Sequence, residues 1–239
     1  MPYCFTNIIP SHIISNKNCT LITIIGAGGK TSLINILANE YVNQGKKVLV
    51  ATSTKTFVDH TKLNIFEINV KNLQENLKQN FKKNNIIIVG KYIDNTNNKL
   101  IGLKKDKITR LKHLNLADII LCEGDGAARK ALKAHALHEP VIPKETDFCI
   151  GVIGLDILGK PLSEVNVHRA ELFSQVNNIP LGEKINPSHL IGHALNEMGF
   201  FKNYFNKKKQ ALFFNKVDLL PTNYNIDELF YNFKHIRQG

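Results

Sequence analysis

The chain has little of what a nucleic-acid-binding protein needs. Of its 31 basic residues, only Arg110, Arg129, Arg169 and Arg237 are arginines. The lysines are scattered along the 239 residues and are not interleaved with aromatic side chains, although the formal net charge is +11. Such a distribution is typical of solvated surface lysines. We therefore expect no nucleic-acid partner.

Cysteine pairs and long apolar segments are also missing. The cysteines are Cys4, Cys19, Cys122 and Cys149; none of them forms a C-x-x-C pair, so neither a zinc knuckle nor a disulfide framework is indicated. Cys122 and Cys149 stand inside apolar runs and are expected to be buried. No apolar run reaches membrane-spanning length, and the first residues do not resemble a signal peptide. We expect a cytoplasmic protein with no membrane partner.

Short apolar segments rich in β-branched residues alternate with segments of helical spacing. The predicted strands are TLITII, KKVLVAT, ADIILCEG, DFCIGVIG and ALFFNKVD, the predicted helices are KTSLINILANEYVNQG and IDELFYNFKHIR, and a hairpin is predicted where NIIIVGKYI and KLIGL flank the turn DNTNN. This alternation predicts an α/β fold with a mostly parallel sheet and helices on both faces. We expect a single domain over residues 1–239, with a small helical insertion at about 155–208.

A glycine-rich turn joins the first strand to the first helix. It reads Gly26-Ala27-Gly28-Gly29-Lys30-Thr31-Ser32, and it lacks the upstream glycine of the usual G-x-x-x-x-G-K-[ST] phosphate-binding loop. Strand, glycines and helix are nevertheless in the right order, so backbone amides and the helix start are expected to cradle phosphates. In this interpretation Lys30 reaches the β- and γ-phosphates and Thr31 holds Mg²⁺. The fold is then of the three-layer, P-loop NTPase-like kind; the alternative is a tight turn without a ligand.

Two acids follow a later strand of the predicted sheet. Glu123 and Asp125 come directly after the apolar run ADIILC. Because ligands of open α/β sheets bind at the carboxyl ends of the strands, we expect both acids at the catalytic site with Lys30. Glu123 is the predicted second Mg²⁺ ligand beside Thr31. Gly126 completes an E-x-x-G pattern that resembles one in nucleotide-binding metallochaperones, where the glycine amide approaches the γ-phosphate.

The last strand ends in Asn215-Lys216-Val217-Asp218, which resembles the N-K-x-D motif of GTPases. Guanine presents two adjacent N–H donors that one carboxylate accepts, and adenine offers no such pair. We therefore expect Asp218 to read guanine, Lys216 to pack along the base and Asn215 to tie down the loop. The expected cofactor is Mg²⁺ with GTP or ATP, with GTP favoured.

Several longer stretches together resemble the YqeC-type family of selenium-dependent hydroxylase accessory proteins. They are the glycine loop with the threonine-rich segment at 52–55, E-x-D-G-A at 123–127, H-E-P-V-I-P at 138–143, the segment 152–162 and V-H-R-A-E-L-F at 167–173. The resemblance covers about 21–219. It implies a nucleotide-binding protein that assists maturation of a selenium-dependent molybdenum hydroxylase, with that hydroxylase or its cofactor-maturation proteins as partners.

The chain departs from related metallochaperone GTPases after the second strand. Those proteins carry an aspartate there as a Mg²⁺ ligand, whereas this chain has Thr52-Ser53-Thr54-Lys55 and no acid before Asp59. Hydroxyls bind Mg²⁺ less well than a carboxylate, so hydrolysis is expected to be slow or to await a partner. Lys55 is either a surface lysine or a contact for an anionic substrate.

Other polar residues leave alternatives open. His135 and His138 form H-x-x-H, with His168 further on, and this cluster either holds a metal transiently or orders the backbone. Because guanidinium groups suit bidentate contacts with phosphate, we expect Arg129 or Arg169 to line the phosphate or second-substrate pocket.

Three functions remain in competition. The first is a nucleotide-dependent accessory protein, with nucleoside triphosphatase activity as a possibility that the sequence leaves open. The second is an ATP-dependent ligase or transferase, because the short loop resembles that of Mur-ligase-type ATPases. The third is a carrier that holds a molybdenum cofactor in the same amide cradle without hydrolysis.

Overall fold

The computed structural model describes residues 4–15, 18–57, 64–67, 73–204, 206, 209–220, 222 and 224–225. In chain order its helices and strands are α1 (Ser11–Ser15), β1 (Thr20–Gly26), α2 (Lys30–Asn43), β2 (Val48–Thr52), β3 (Thr56–Phe57), β4 (Asn64–Glu67), α3 (Leu73–Asn80), β5 (Ile86–Gly90), β6 (Tyr92–Asp94), β7 (Lys99–Ile101), α4 (Lys105–His113), β8 (Ile119–Glu123), β9 (Leu132–Lys133), β10 (Phe148–Gly154), β11 (Val167–His168), α5 (Ala170–Asn177), α6 (Pro187–Leu195) and β12 (Gln210–Asn215). Short 3₁₀ turns cover Phe5–Ile8, Leu155–Ile157 and Val217–Leu219.

The central sheet has seven strands in the order β12-β10-β1-β8-β2-β5-β4, and every neighbouring pair is parallel. This arrangement confirms the predicted α/β class with a mostly parallel sheet. β1 lies between β8 and β10, so the loop that follows β1 opens between the carboxyl ends of two other strands. In open α/β sheets this edge is where ligands bind.

Helices cover both faces of the sheet, which makes three layers. Alternate residues of a strand point to opposite faces. Accordingly Ile22 and Ile24 of β1 pack with Leu37 of α2, whereas Leu21 packs in a separate cluster with Leu77 of α3 and with residues of α4. Strands that are buried on both faces explain the continuous apolar runs in the sequence.

The predicted hairpin is correct only in part. β6 and β7 pair antiparallel around the DNTNN turn and join β3 in a small second sheet. The apolar run of β5, in contrast, belongs to the central sheet and pairs with β2 and β4. The chain changes sheets at Gly90, where a side chain has no room because a Cβ would lie 2.3 Å from Leu100 Cδ1.

The segment between β10 and β12 contains α5 and α6, as the predicted helical insertion requires. Its apolar residues share one core with the end of the central sheet, since Phe173 of α5 and Leu190 of α6 pack in the same cluster as Ile153 of β10. Phe200 belongs to this core and also lies under the glycine loop, 2.7 Å from the position of a Cβ on Gly26. The insertion therefore supports the loop from below.

Two further sequence predictions concern the cysteines and the closing helix. Cys122 and Cys149 are buried, as expected. The predicted closing helix at 226–237 lies outside the described residues. Within the described ranges, no helix combines the length and apolar character that crossing a membrane requires.

A pair of leucines on α6 tests how the insertion is held. Leu190 is fully buried, whereas Leu195 is 54% exposed. We expect Leu190→Ala to lower the free energy of unfolding by about 2–5 kcal/mol, because it leaves a cavity in the shared core. The matched change Leu195→Ala should cost less than about 0.5 kcal/mol. Urea denaturation measures both, and equal losses would contradict the packing described for α6.

Candidate functional site

The glycine loop connects Gly26, the last residue of β1, to Lys30, the first residue of α2. Gly28 and Gly29, like Gly26, must be glycine for steric as well as conformational reasons. Gly28 has φ of 81°, and a Cβ there would lie 2.2 Å from the amide nitrogen of Gly154. Gly29 has φ of 130°, and its Cβ would lie 2.0 Å from Asn215 Nδ2. The loop is therefore pressed against the ends of β10 and β12.

The first amides of the loop hold it in place. They donate to three surrounding segments: Gly26 N to Asp125 Oδ2 (3.1 Å), Ala27 N to the carbonyl of Val152 (2.9 Å) and Gly28 N to the carbonyl of Lys130 (2.9 Å). The first bond inside α2 runs from Leu33 N to the carbonyl of Gly29, at 3.0 Å. The amides at 29–32 precede that bond and face the open end of the helix. These later amides, rather than the first three, are the ones available to an anion.

Lys30 lies inward, against both predicted acids. Its Nζ donates to the carbonyl of Gly26 at 2.6 Å and lies 3.2 Å from Asp125 Oδ1 and 3.8 Å from Glu123 Oε1. The residue is only 5% exposed. The structure therefore brings together the lysine of the loop and the acids that follow β8.

Glu123 lies at the edge of this group, at the end of β8. Thr31 Oγ1 is 3.5 Å from Glu123 Oε1, and Thr31 and Ser32 are exposed on the first turn of α2. Burial raises the pKa of Glu123, and the attraction of Lys30 only partly offsets that effect. A further positive charge at this edge would therefore stabilise the ionised carboxylate.

Asp125 is fully buried beneath the loop. Besides Lys30 and the Gly26 amide, its carboxylate contacts His135 Nε2 at 2.5 Å and Lys133 Nζ at 3.3 Å. Burial by itself would raise the pKa of Asp125. The attraction of Lys30, the hydrogen bond from His135 and the charge of Lys133 outweigh burial and lower it. The acid is therefore ionised and serves to hold the loop.

Lys133 extends the ionic network away from the loop. It is completely buried, donates to the carbonyl of Gly126 at 2.6 Å and lies 3.1 Å from Glu139 Oε2. Arg169 in turn forms a two-point contact with Glu139 and donates to the carbonyl of Ala134 at 3.3 Å. Burial would raise the pKa of Glu139, but Arg169 and Lys133 lower it.

The two predicted anion-binding arginines are placed differently. Arg169 is linked to Asp125 through Glu139 and Lys133, and Arg129 is an exposed residue with φ of 61°. A direct role of either arginine toward a ligand stays a prediction.

The end of β2 lies beside the acidic segment. Ser53 donates its amide and its hydroxyl to the carbonyl of Glu123, at 2.9 and 3.1 Å. Thr54 Oγ1 lies 3.2 Å from where a Cβ of Gly126 would be, and Lys55 is exposed. The hydroxyls at the end of β2, which the sequence offers in place of an acid, thus lie one strand away from Glu123.

The N-K-x-D segment joins the site through its first residue. Asn215 Nδ2 donates to the carbonyl of Gly28 at 2.8 Å, which is the loop contact predicted for it. Lys216 has φ of 63°, and its Nζ contacts Asp156 Oδ2 at 2.9 Å. Asp218 is exposed in the 3₁₀ turn after β12. Its base-reading role stays a prediction.

The histidines of the H-x-x-H pair are separated by their surroundings. His135 is buried and bonded to Asp125, whereas His138 is exposed and His168 is half-buried. In the described part of the chain, no group of three or more histidine, cysteine or acidic residues is placed to hold a metal. His135 thus contacts the buried acid, and both interpretations of the histidine cluster stay predictions.

Sequence reasoning missed Lys133, although it is the most buried charge of the site. It is one of many lysines, and no local pattern marks it. Glu139 stood inside a recognised motif, but nothing in the motif indicated its pairing with Arg169. Both roles depend on contacts between distant parts of the chain.

Comparison with known proteins agrees with this arrangement of motifs. A family model described as "YqeC protein" matches residues 22–171, which is more than half of the chain and includes the glycine loop, both acids and Arg169. The chain belongs to the YqeC family. The Escherichia coli (strain K12) protein with the printed name "Uncharacterized protein YqeC" is 29% identical over 202 residues, covering 84% of this chain and 78% of that protein. No solved structure matches the chain.

Removing Lys133 tests the buried network of this YqeC-family protein. Lys133→Met leaves Asp125 and Glu139 short of a buried partner, so we expect a loss of about 3–5 kcal/mol in the free energy of unfolding. The matched control is Lys160→Met, because Lys160 is exposed and its ion pair with Asp156 is a long contact of 3.8 Å. That change should cost less than about 1 kcal/mol. Urea denaturation distinguishes the two, and a fully stable Lys133→Met variant would refute the network as a stabilising unit.

The lowered pKa of Asp125 predicts an acid-sensitive fold. As pH falls, this carboxyl group is protonated at a higher pH in the unfolded chain than in the folded chain. The stabilisation that it provides is therefore present above about pH 4 and is lost as pH falls through the folded pKa. We expect Asp125→Asn to flatten part of the decline in the urea midpoint between about pH 5 and pH 3. Asp218→Asn, on the surface, serves as the control. An unchanged slope in Asp125→Asn would contradict the assignment.

Proposed function

We propose that this YqeC-family protein binds a Mg²⁺–nucleoside triphosphate, with GTP favoured, at residues 26–32. The observation that carries the proposal is the meeting of Lys30, Glu123 and the free end of α2 at the carboxyl edge of a parallel sheet. A lysine and helix-start amides suit phosphate oxygens, and a carboxylate beside them suits a divalent cation.

The residues at this edge fit a magnesium ion. The Thr31 hydroxyl and the Glu123 carboxylate are hard oxygen donors only 3.5 Å apart, at the exposed rim of the site. Burial holds the pKa of Glu123 above its ordinary value, which a nearby cation would reverse. When bound, Mg²⁺ would neutralise the charge that the phosphate oxygens carry.

Lys30 is proposed to exchange partners when nucleotide binds. In this structure its Nζ is shared between Asp125 and the carbonyl of Gly26. Lys133, His135 and the Gly26 amide still contact Asp125 if Lys30 turns toward phosphate. The exchange therefore does not strand a buried charge, which would otherwise be costly.

The base is proposed to lie on the β12 side of the loop. A cavity of about 630 Å³ is lined there by Asp156, Leu219 and Tyr224, among others. Leu219 adjoins Asp218, the proposed guanine reader, and Asp156 contacts Lys216. Leucine and tyrosine side chains provide the apolar surface that a purine ring packs against.

Turnover by the protein alone is proposed to be slow. Asp125 is buried and engaged, and the end of β2 offers hydroxyls of threonine and serine instead of an acid. The protein is therefore proposed to couple nucleotide binding to the maturation of a selenium-dependent molybdenum hydroxylase, a client that rests on the family resemblance alone. The alternative of a transferase with an acceptor is favoured by one observation, a cleft beside Ser53.

A nucleotide titration tests the proposal. Purified protein is titrated calorimetrically with GTP, ATP and CTP in the presence of Mg²⁺. We expect micromolar GTP binding that falls at least about tenfold in Lys30→Ala, since one charge-assisted phosphate contact is lost. Asp218→Ala should bring GTP affinity down to that for ATP.

Lys83→Ala is the control for this titration. Lys83 is exposed just before β5, at the amino-terminal ends of the strands, whereas the glycine loop lies at their carboxyl ends. Circular dichroism checks that each variant is folded. If folded Lys30→Ala binds GTP as well as the parent protein does, the loop is not the phosphate site.

A further inference from the structure

A second cleft opens two strands away from the glycine loop, beyond the end of β2. Its volume is about 750 Å³, and its lining comes from Ser53, 102–106, 137–138, 140–142 and Asn203. Pockets for small organic ligands commonly measure about 300–1,000 Å³. The cleft is therefore large enough for a molecule and not only for an ion.

The walls of this cleft are bonded to the acidic segment of the proposed nucleotide site. Ser53 donates twice to the carbonyl of Glu123, and Val141 N donates to the carbonyl of Gly124 at 3.0 Å. Thr52 of β2 is in register with Glu123 of β8. Neighbouring strands lie about 4.8 Å apart, so an occupant near Ser53 would be close to phosphates held beside Glu123.

One wall of the cleft is basic. Lys104 and Lys105 stand at the beginning of α4, both are exposed, and no ion pair joins either of them to a carboxylate in the ranges that the structure describes. Asp106 adds a negative charge nearby, which leaves this wall net positive. The start of α4 adds its own partial positive charge.

The part of the lining at 137–142 is mostly apolar, although it includes His138. Leu137 is 88% exposed, the highest exposure among the large hydrophobic side chains of the described residues. It lines the cleft together with Pro140, Val141 and Ile142. A ligand that fits both walls carries an anionic group on one side and an apolar body on the other.

We propose that this cleft binds the second substrate, a phosphorylated organic molecule with an apolar or aromatic body. That the ligand is a second substrate rests on the proposed nucleotide function. The presence of the cleft and the character of its lining do not depend on that function. The lysines take the phosphate, and residues 137–142 pack against the body. The molecule then lies beside the nucleotide without sharing the glycine loop.

A synthetic probe with both features tests the cleft. The full chain is titrated calorimetrically with 1-naphthyl phosphate, inorganic phosphate and 1-naphthol, first without nucleotide. We expect 1-naphthyl phosphate to bind at least tenfold more tightly than either fragment, because it contacts both walls. Its affinity should fall at least tenfold in Lys104→Glu/Lys105→Glu and about threefold in Leu137→Ser.

The matched control is Lys82→Glu/Lys83→Glu, an exposed lysine pair with the same charge change that follows α3. This variant should bind the probe like the parent protein. If both double variants lost the same amount of probe affinity, the loss would come from the change in net charge alone, and the proposal would be overturned. Equal affinities in the parent and in Lys104→Glu/Lys105→Glu would overturn it as well.

Lys30→Ala separates this proposal from the nucleotide function. The probe should bind Lys30→Ala normally, and GTP should bind Lys104→Glu/Lys105→Glu normally. If the probe instead competes with GTP and is lost in Lys30→Ala, it occupies the glycine loop and the cleft proposal fails. If GTP never binds but the probe behaves as expected, the nucleotide function fails and the cleft stands.

Discussion

The buried carboxylate of Asp125 is the constraint on which the rest of the site depends. A charge without water is costly unless several partners compensate it, and here Lys30, Lys133, His135 and the Gly26 amide surround it. These partners come from the loop, from the start of α2, from β9 and from residue 135 shortly after it. Satisfying one carboxylate therefore fixes the position of each of these segments.

This arrangement divides the glycine loop into two parts with different tasks. The amides of 26–28 donate hydrogen bonds to Asp125, Val152 and Lys130, so this part of the loop is structural. The amides at 29–32 and the exposed hydroxyls of Thr31 and Ser32 form the face that is open to a ligand. A loop shorter than the usual phosphate-binding loop keeps its shape because its neighbours, and not additional glycines, hold it.

Local patterns in the sequence predicted the parts of the site that lie on single elements. The strand, glycines and helix from 21 to 45 were predictable from apolar spacing, and Glu123 and Asn215 from their positions after apolar runs. The burial of Lys133 and the pairing of Glu139 with Arg169 were not, because they arise between residues whose proximity only the folded chain creates. For the same reason the predicted hairpin wrongly includes the apolar run of β5. Periodicity does not show that β5 finds its partners in β2 and β4.

The central position of β1 has a consequence for the chain as it is synthesised. β1 pairs with β8 and β10, which begin about 100 and 130 residues after β1 begins. Until those strands emerge from the ribosome, an apolar segment has no neighbour on either edge. The same holds for any fragment that stops after β5. This family member therefore needs the chain as far as β10, which ends at Gly154, before its first strand is protected from pairing with another chain.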